Sequence, residues 1–551
     1  MQWLKNNKLQ GILLILLLVF FCVYSWFAFS VILQNYFTPE SKVIFSWPDA
    51  IANYNFVKNF ELNTNFQIAE PLNLEFNNII HPRSTNINFQ NGSIVPTAFL
   101  GFIFILGILT KIFGLYLVNF FTPLIAVIGV YYFFKLIRKI FDNELIGFIS
   151  AILLLTLCSF WYYASLTMLS TITFISFLII GFFYLINSEK ATYQTFLAGL
   201  FISLALTIRL NEIVWISLTV LTIALIYRKK ITNKKVLYFL AGGIIPLSVL
   251  LILNYFTYGS ALTFGYLAND STQAITNRLP TEIASTQNPI LNYYKLLFIP
   301  FGFYIKTLIS NFINYLLVFI WPYIGILVLS LILLFSNFKK TKSSIKIYLY
   351  LSLGISFLLI IYYGSWKFVD TLVLKNNTIG SSYIRYWLLI NILILPFIAY
   401  AIEKFWHLPL KKYTKAGLIT LLLLALASYS FILVYKTAGD GLLAQKRTIT
   451  EYHTRAKIIE NLLPTDAIIL TDRTDKILFP ERKVIDFNLN YKLFDSLQEQ
   501  VSDYQIYYLT LLPDIDINYI NEKKIVNQNL KFVNPIQVDN NYRIFRLVNS
   551  Y

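Results

Sequence analysis

The chain has 551 residues, 57% of them hydrophobic and 17% aromatic, with only 13% charged and a mean hydropathy of +0.62. That composition excludes an ordinary soluble globular protein and reads as a polytopic membrane protein. The net charge of +17 does not make a nucleic-acid surface, because Lys and Arg collect in short loops between apolar runs, as in cytoplasmic loops.

The first apolar run, 9–33, is too long for a signal-peptide core and has no small-residue cleavage site before Gln34, so it is predicted to span. Basic residues then recur at Lys5 and Lys8, at 135–139, at Lys190, and at 228–235, 339–346 and 404–415. Holding all of them on one side gives eleven crossings: 9–33, 115–136, 145–161, 168–187, 192–208, 211–227, 236–256, 312–336, 347–364, 385–403 and 416–435. The N-terminus is then inside and the tail outside, in a multi-pass plasma or inner-membrane protein.

One apolar stretch, Ile94 to Gly114, is long enough to span but would carry the 135–139 cluster to the wrong side. It is therefore read as a helix lying in or dipping into the outer leaflet, helped by Pro96, Gly101 and Gly107. Two long outer segments, 34–114 and 257–311, carry aromatic-rich helical patches and are where chemistry is expected. The predicted domains are a helical membrane domain over 1–435 and a small extracytoplasmic α/β domain over 436–551. In that tail, helical spacing over 447–464 is followed by short buried strands at "DAIILTD" and "RKVIDFN". A helix at "LFDSLQEQVSD", a strand at "YQIYYLTLL" and a hairpin turning at Asn540-Asn541 complete it.

Asp49, in "FSWPDAIANYNF", follows the first span and a Trp-Pro pair. An acid there suits the N-terminus of a helix, and it equally suits a carboxylate that accepts a proton or holds a divalent cation at the outer boundary. In "NNIIHPRSTN", His81 and Arg83 flank Pro82 in a segment without regular periodicity. An arginine there either snorkels to headgroups or clamps a phosphate. Arg209 and Glu212 stand three apart in a short turn, placed to pair with each other or to face a cavity. Tyr266 and Asp270, then Lys367 and Arg385, put several cations and few acids on one membrane face, which suits an anionic lipid headgroup.

Other chemistries are excluded more simply. Cys22 and Cys158 lie in or at the end of apolar runs, which removes a disulfide framework and a cysteine metal site. No Walker loop or nucleophile elbow occurs, and three histidines are too few for an imidazole-based machine.

The stretches "SWPDAIANYNFVKNF", "HPRSTNINFQNGSIVPTAFLG", "FWYYASLTMLS" and "IRLNEIVW" resemble the GT-C superfamily of integral-membrane glycosyltransferases. Within it, the family 39/ArnT-like group, with the protein mannosyltransferases, is the most similar. The resemblance covers about 1–435. It implies transfer of a hexose or pentose from a polyprenyl-phosphate carrier to a lipid, glycan or protein acceptor on the outer face, with no nucleic-acid partner. It implies Asp49 as the catalytic carboxylate and possible metal ligand. It sets Arg83 near the basic residue that such enzymes use at the lipid phosphate, while His81, Arg209, Tyr266, Asp270, Lys367 and Arg385 are further candidate contacts to lipid phosphate and sugar by their own positions and chemistry. The only cofactor it allows is a divalent cation. The chain departs from the family where Ala50 replaces a second acid, and where Ser170 or Thr171 stands at the position of an acid in the second outer loop. Two other readings stay open: a transporter or flippase of a lipid-linked saccharide, and a catalytically inactive scaffold. The oligomeric state has no sequence signal.

Overall fold

In the computed structural model the described residues are 8–36, 43–188, 191–265, 299–366 and 378–550, with side chains described outside 31–36. The apolar runs form helices because their backbone groups can be satisfied internally in hydrocarbon. Seven are long and apolar enough to cross a bilayer: Lys8–Ser30, Leu115–Phe141, Ser170–Asn187, Asn233–Tyr258, Ser343–Gly364, Leu388–Trp406 and Lys412–Lys436. Three more runs are bent pairs: Glu144–Thr156 with Cys158–Leu166 (56°), Thr192–Ile208 with Leu210–Ile226 (120°), and Ile305–Val318 with Trp321–Ser336 (89°). Counting each pair as one span gives up to ten among the described residues. The eleven expected from charge count both arms of the 120° pair as separate crossings.

The chain groups into two units, the first comprising 1–29, 119–249 and 271–444, the second 30–118, 250–270 and 445–551. The first unit is a helix bundle. One of its helix contacts depends on glycine: a Cβ on Gly199 would meet the Phe239 carbonyl oxygen at 2.0 Å, and one on Gly242 would meet that of Phe196 at 2.1 Å. Small residues let the backbones of Thr192–Ile208 and Asn233–Tyr258 touch, which is how apolar helices gain packing energy in lipid.

The second unit joins the first outer loop to the tail. Its outer-loop part has a helix, Pro48–Asn63, a two-stranded ribbon β1 (Thr85–Ile87) and β2 (Ile94–Pro96), and an apolar helix, Leu100–Phe113. At 14 residues that last helix measures about 21 Å, short of the roughly 30 Å of hydrocarbon. The helix expected to lie in the membrane plane is thus too short to span.

The tail carries strands β3 (Ile468–Thr471), β4 (Lys483–Asp486), β5 (Ile506–Thr510), β6 (Leu530–Gln537) and β7 (Arg543–Asn549) in the order β4-β3-β5-β7-β6. β3 runs parallel to β4 and β5, and β7 runs antiparallel to β5 and β6. The β6–β7 hairpin turns where the Asp539 carboxylate accepts the Asn541 and Tyr542 amides, both at 2.9 Å. The predicted strands all form, but "LFDSLQEQVSD" is helical only over Leu493–Leu497, and a helix at Asp514–Lys523 was not expected.

Phe76 and Ile80, from the outer loop, sit 0% and 1% exposed inside the tail's core with Ile468, Leu470, Ile485 and Phe487. His81 forms a parallel bridge to Ile485, extending the β4 edge. The loop expected to belong with the membrane domain is therefore part of the tail's fold. Burying one such aromatic is worth about 1.5–3 kcal/mol.

Candidate functional site

Asp49 lies on the first turn of Pro48–Asn63, with Pro48 at the first helical positions and Trp47 as an extended N-cap. The Trp47 carbonyl accepts from the Ala50 and Ile51 amides at 3.1 and 3.2 Å. The helix thus forms without a side-chain cap, and its positive end lies beside the half-buried Asp49 carboxylate. Ser84 Oγ donates to Asp49 Oδ1 at 2.7 Å. Ala50, beside it, is 3% exposed and packs inward.

Ser84 has φ of 62°, a left-handed conformation unusual for a residue with a Cβ. The segment before it is tied down at each residue. His81 Nδ1 lies 3.0 Å from the Pro82 carbonyl oxygen, an acceptor only, so the proton is assigned to Nδ1. Burial lowers the tendency of this imidazole to ionise. Thr85 Oγ1 donates to the same carbonyl at 2.6 Å.

Arg83 is held by the tail. Its amide donates to Asp475 Oδ2 at 2.8 Å, its Nε to Oδ1 at 2.8 Å, and its Nη2 to the Arg473 carbonyl at 2.7 Å; Nη2 also lies 2.6 Å from Oδ1. The Asp475 side chain is 0% exposed and the Arg83 side chain 18%. The guanidinium that the sequence suggested for a lipid phosphate is thus occupied by a carboxylate. One residue on, Lys476 Nζ donates to the Ser46 carbonyl at 2.5 Å. The short helix Asp475–Leu478 therefore bonds the chain on both sides of the Asp49–Ser84 contact.

Two further carboxyls surround this pair. Burial, then the neighbouring Asp475 charge, pushes the Asp486 carboxyl up to about 7, against the pull of Arg83. Burial also raises Asp472, whose Oδ2 accepts from the hydroxyls of Tyr508 at 2.8 Å and Thr510 at 3.3 Å.

The remaining described candidates belong to the helix bundle. Arg209, 8% exposed, pairs with Glu212, 3% exposed, at 3.0 Å. Glu212 also accepts from Tyr363 Oη at 2.7 Å and from Trp215 Nε1 at 2.5 Å. The Arg209 guanidinium lies over the Tyr386 ring at 4.8 Å, and that ring stacks on Tyr363 at 4.6 Å. Arg385 donates to Tyr386 Oη at 3.2 Å. Tyr266, Asp270 and Lys367 lie outside the described residues.

Among the described residues no group of three His, Cys, Asp or Glu side chains is placed to hold a metal, and Ala50 removes the adjacent acid. No chemical step below runs through one.

Sequence reasoning missed Ser84, Asp475 and Lys476. Ser84 lies in an unremarkable polar stretch, and Asp475 and Lys476 were marked only by belonging to "TDRTDKILFPERK", the tail's most charged loop.

Apolar helices enough for a multi-pass protein, an acid on the first turn of Pro48–Asn63, and a terminal sheet domain define a membrane protein of the ArnT fold. The chain is similar to the crystal structure of ArnT from Cupriavidus metallidurans bound to undecaprenyl phosphate, with a TM-score of 0.55 at 9% identity over 98% of both chains. The same enzyme in the apo state aligns at a TM-score of 0.49 and 10% identity, over 98% of both chains. No family model and no curated protein sequence matches the chain.

Proposed function

We propose that the protein transfers a sugar from a polyprenyl-phosphate-linked donor to an acceptor at the outer face of the membrane, with Asp49 as general base. The observation that carries this reading is a half-buried carboxylate, fixed by Ser84 at the start of the first outer helix. It stands in a chain folded, over 98% of its length, like an ArnT bound to undecaprenyl phosphate.

In the reaction, the acceptor hydroxyl or amine attacks the anomeric carbon as its proton passes to Asp49. The bond from that carbon to the phosphate oxygen breaks, and polyprenyl phosphate leaves with the electron pair. The phosphate needs no separate acid, but its charge needs a preorganised cation. Arg385 takes that role better than Arg83, whose guanidinium is engaged by Asp475. Lys367, Tyr266 and Asp270 remain proposed donor contacts. With both arms of the 120° pair crossing, the basic clusters and the N-terminus lie inside, and the tail lies outside on the same face as Asp49.

Purified protein supplied with polyprenyl-phosphate-linked sugars and envelope extract is expected to move the sugar and release polyprenyl phosphate. Flux of the intact lipid-linked saccharide in proteoliposomes, with no product, would favour transport instead. The feature supporting that second reading is the buried Arg209–Glu212 pair at the 120° break between two apolar helices.

A further inference from the structure

We propose that the terminal domain positions the Asp49 carboxylate, with Asp475 and Lys476 as positioning residues acting through Arg83, Ser84 and Ser46. The inference rests on the reading of Asp49 as the base. The path is continuous: Asp475 binds both the amide and the guanidinium of Arg83. Arg83 precedes Ser84, and Ser84 donates to Asp49.

Three observations separate this from an incidental ion pair. First, Asp475 takes a main-chain amide as well as a side chain, so it fixes the backbone entering Ser84 and not only a rotamer. Ser84 holds a left-handed φ of 62°, a conformation that persists in a non-glycine residue where its surroundings impose it. Second, Lys476, the next residue of the same short helix, holds the Ser46 carbonyl on the other side of Asp49. Third, the loop cannot leave the tail cheaply, because Phe76 and Ile80 fill the tail's core and His81 extends its sheet. A base must hold its carboxylate within hydrogen-bond reach of the acceptor proton, and displacement by about an ångström is enough to slow a reaction. The tail thus belongs to the catalytic apparatus, although no tail residue touches substrate in this scheme.

The test compares Asp475→Asn, Ser84→Ala and the double variant in sugar transfer, with hydrogen–deuterium exchange on the same full-length preparations. Each single variant is expected to lower kcat about 10-fold, the loss that accompanies one hydrogen bond to a charged group, with the donor KM little changed. The double variant should be no slower than the worse single one, because both break one path. Losses that multiply to about 100-fold, or an Asp475→Asn variant with unchanged kcat, would overturn the proposal.

Exchange should rise at 44–52 and 80–86 in Asp475→Asn while peptides over β3 and β5 stay protected. Unchanged exchange at both loop segments would also overturn it. That arm reads the mechanical link even if wild-type protein transfers nothing, an outcome that removes the glycosyltransferase reading instead. If Asp475→Asn loses protection in the sheet itself, Lys476→Met decides: deprotection confined to 44–52 supports the grip, and none refutes it.

Discussion

Two buried arginine–carboxylate pairs in this chain are built from opposite kinds of sequence. Arg209 and Glu212 are three residues apart, at a break between apolar helices, both under 10% exposed and fenced by Tyr363, Trp215 and Tyr386. Arg83 and Asp475 are 392 residues apart and join an irregular loop to a tail domain, with Arg83 still 18% exposed. The near pair is a local solution to the cost of charge beside hydrocarbon. The distant pair holds two parts of one folded unit together, next to the carboxylate proposed for catalysis.

The comparison sharpens when each pair is broken. Glu212→Gln strands a guanidinium among aromatic rings and should cost about 3–5 kcal/mol, read as a large fall in the melting temperature of the detergent-solubilised protein. Replacing both Arg209 and Glu212 by methionine should cost much less, since neither charge is then left alone. If the single and double variants melt alike, the pair is not isolated from water.

Phe76→Ala comes next. It should cost about 3 kcal/mol and loosen the tail sheet, seen as faster exchange over β3 and β4, because Phe76 fills a core made of tail residues. An effect confined to the outer loop would separate loop from tail and weaken the second half of the comparison.

A smaller effect follows from Asp486. Its folded-state carboxyl is raised from 3.8 to about 7, so between those values the folded protein holds a proton that the unfolded chain has lost. Unfolding then releases a proton, and this group's contribution to stability falls as pH climbs from about 4 to about 7, by at most about 1.4 kcal/mol per pH unit. Asp486→Asn should flatten that slope in pH-dependent melting. A slope unchanged by the variant would assign the titration to another group.

The same contrast shows what was legible in the sequence. Apolar periodicity and loop charge gave the spanning runs, the short helix after Ile94, the tail strands and the first-turn position of Asp49, all from residues near one another in the chain. Arg209 and Glu212 were readable as a pair for the same reason. The bend at Leu157 was not, because no glycine or proline interrupts that apolar run at the break itself, whereas the bend after Val318 has a local signal in Pro322, on the first turn of the helix that follows. Phe76 and Ile80 lie in a segment without helical or strand period, so nothing marked them as core of a domain whose sheet begins at Ile468. The helix Asp514–Lys523 escaped because only Ile517 and Ile520 turn inward. Ser84 and Asp475 became candidates only when folding brought them to Asp49 and Arg83.

The central claim, that Asp49 is the base of a glycosyl transfer, is tested most directly by Asp49→Asn in single-turnover release of polyprenyl phosphate from a polyprenyl-phosphate-linked sugar. The account expects release to fall at least about 1,000-fold, as for the loss of a general base together with the charge it supplies, with melting unchanged. Undiminished release by that variant would contradict it.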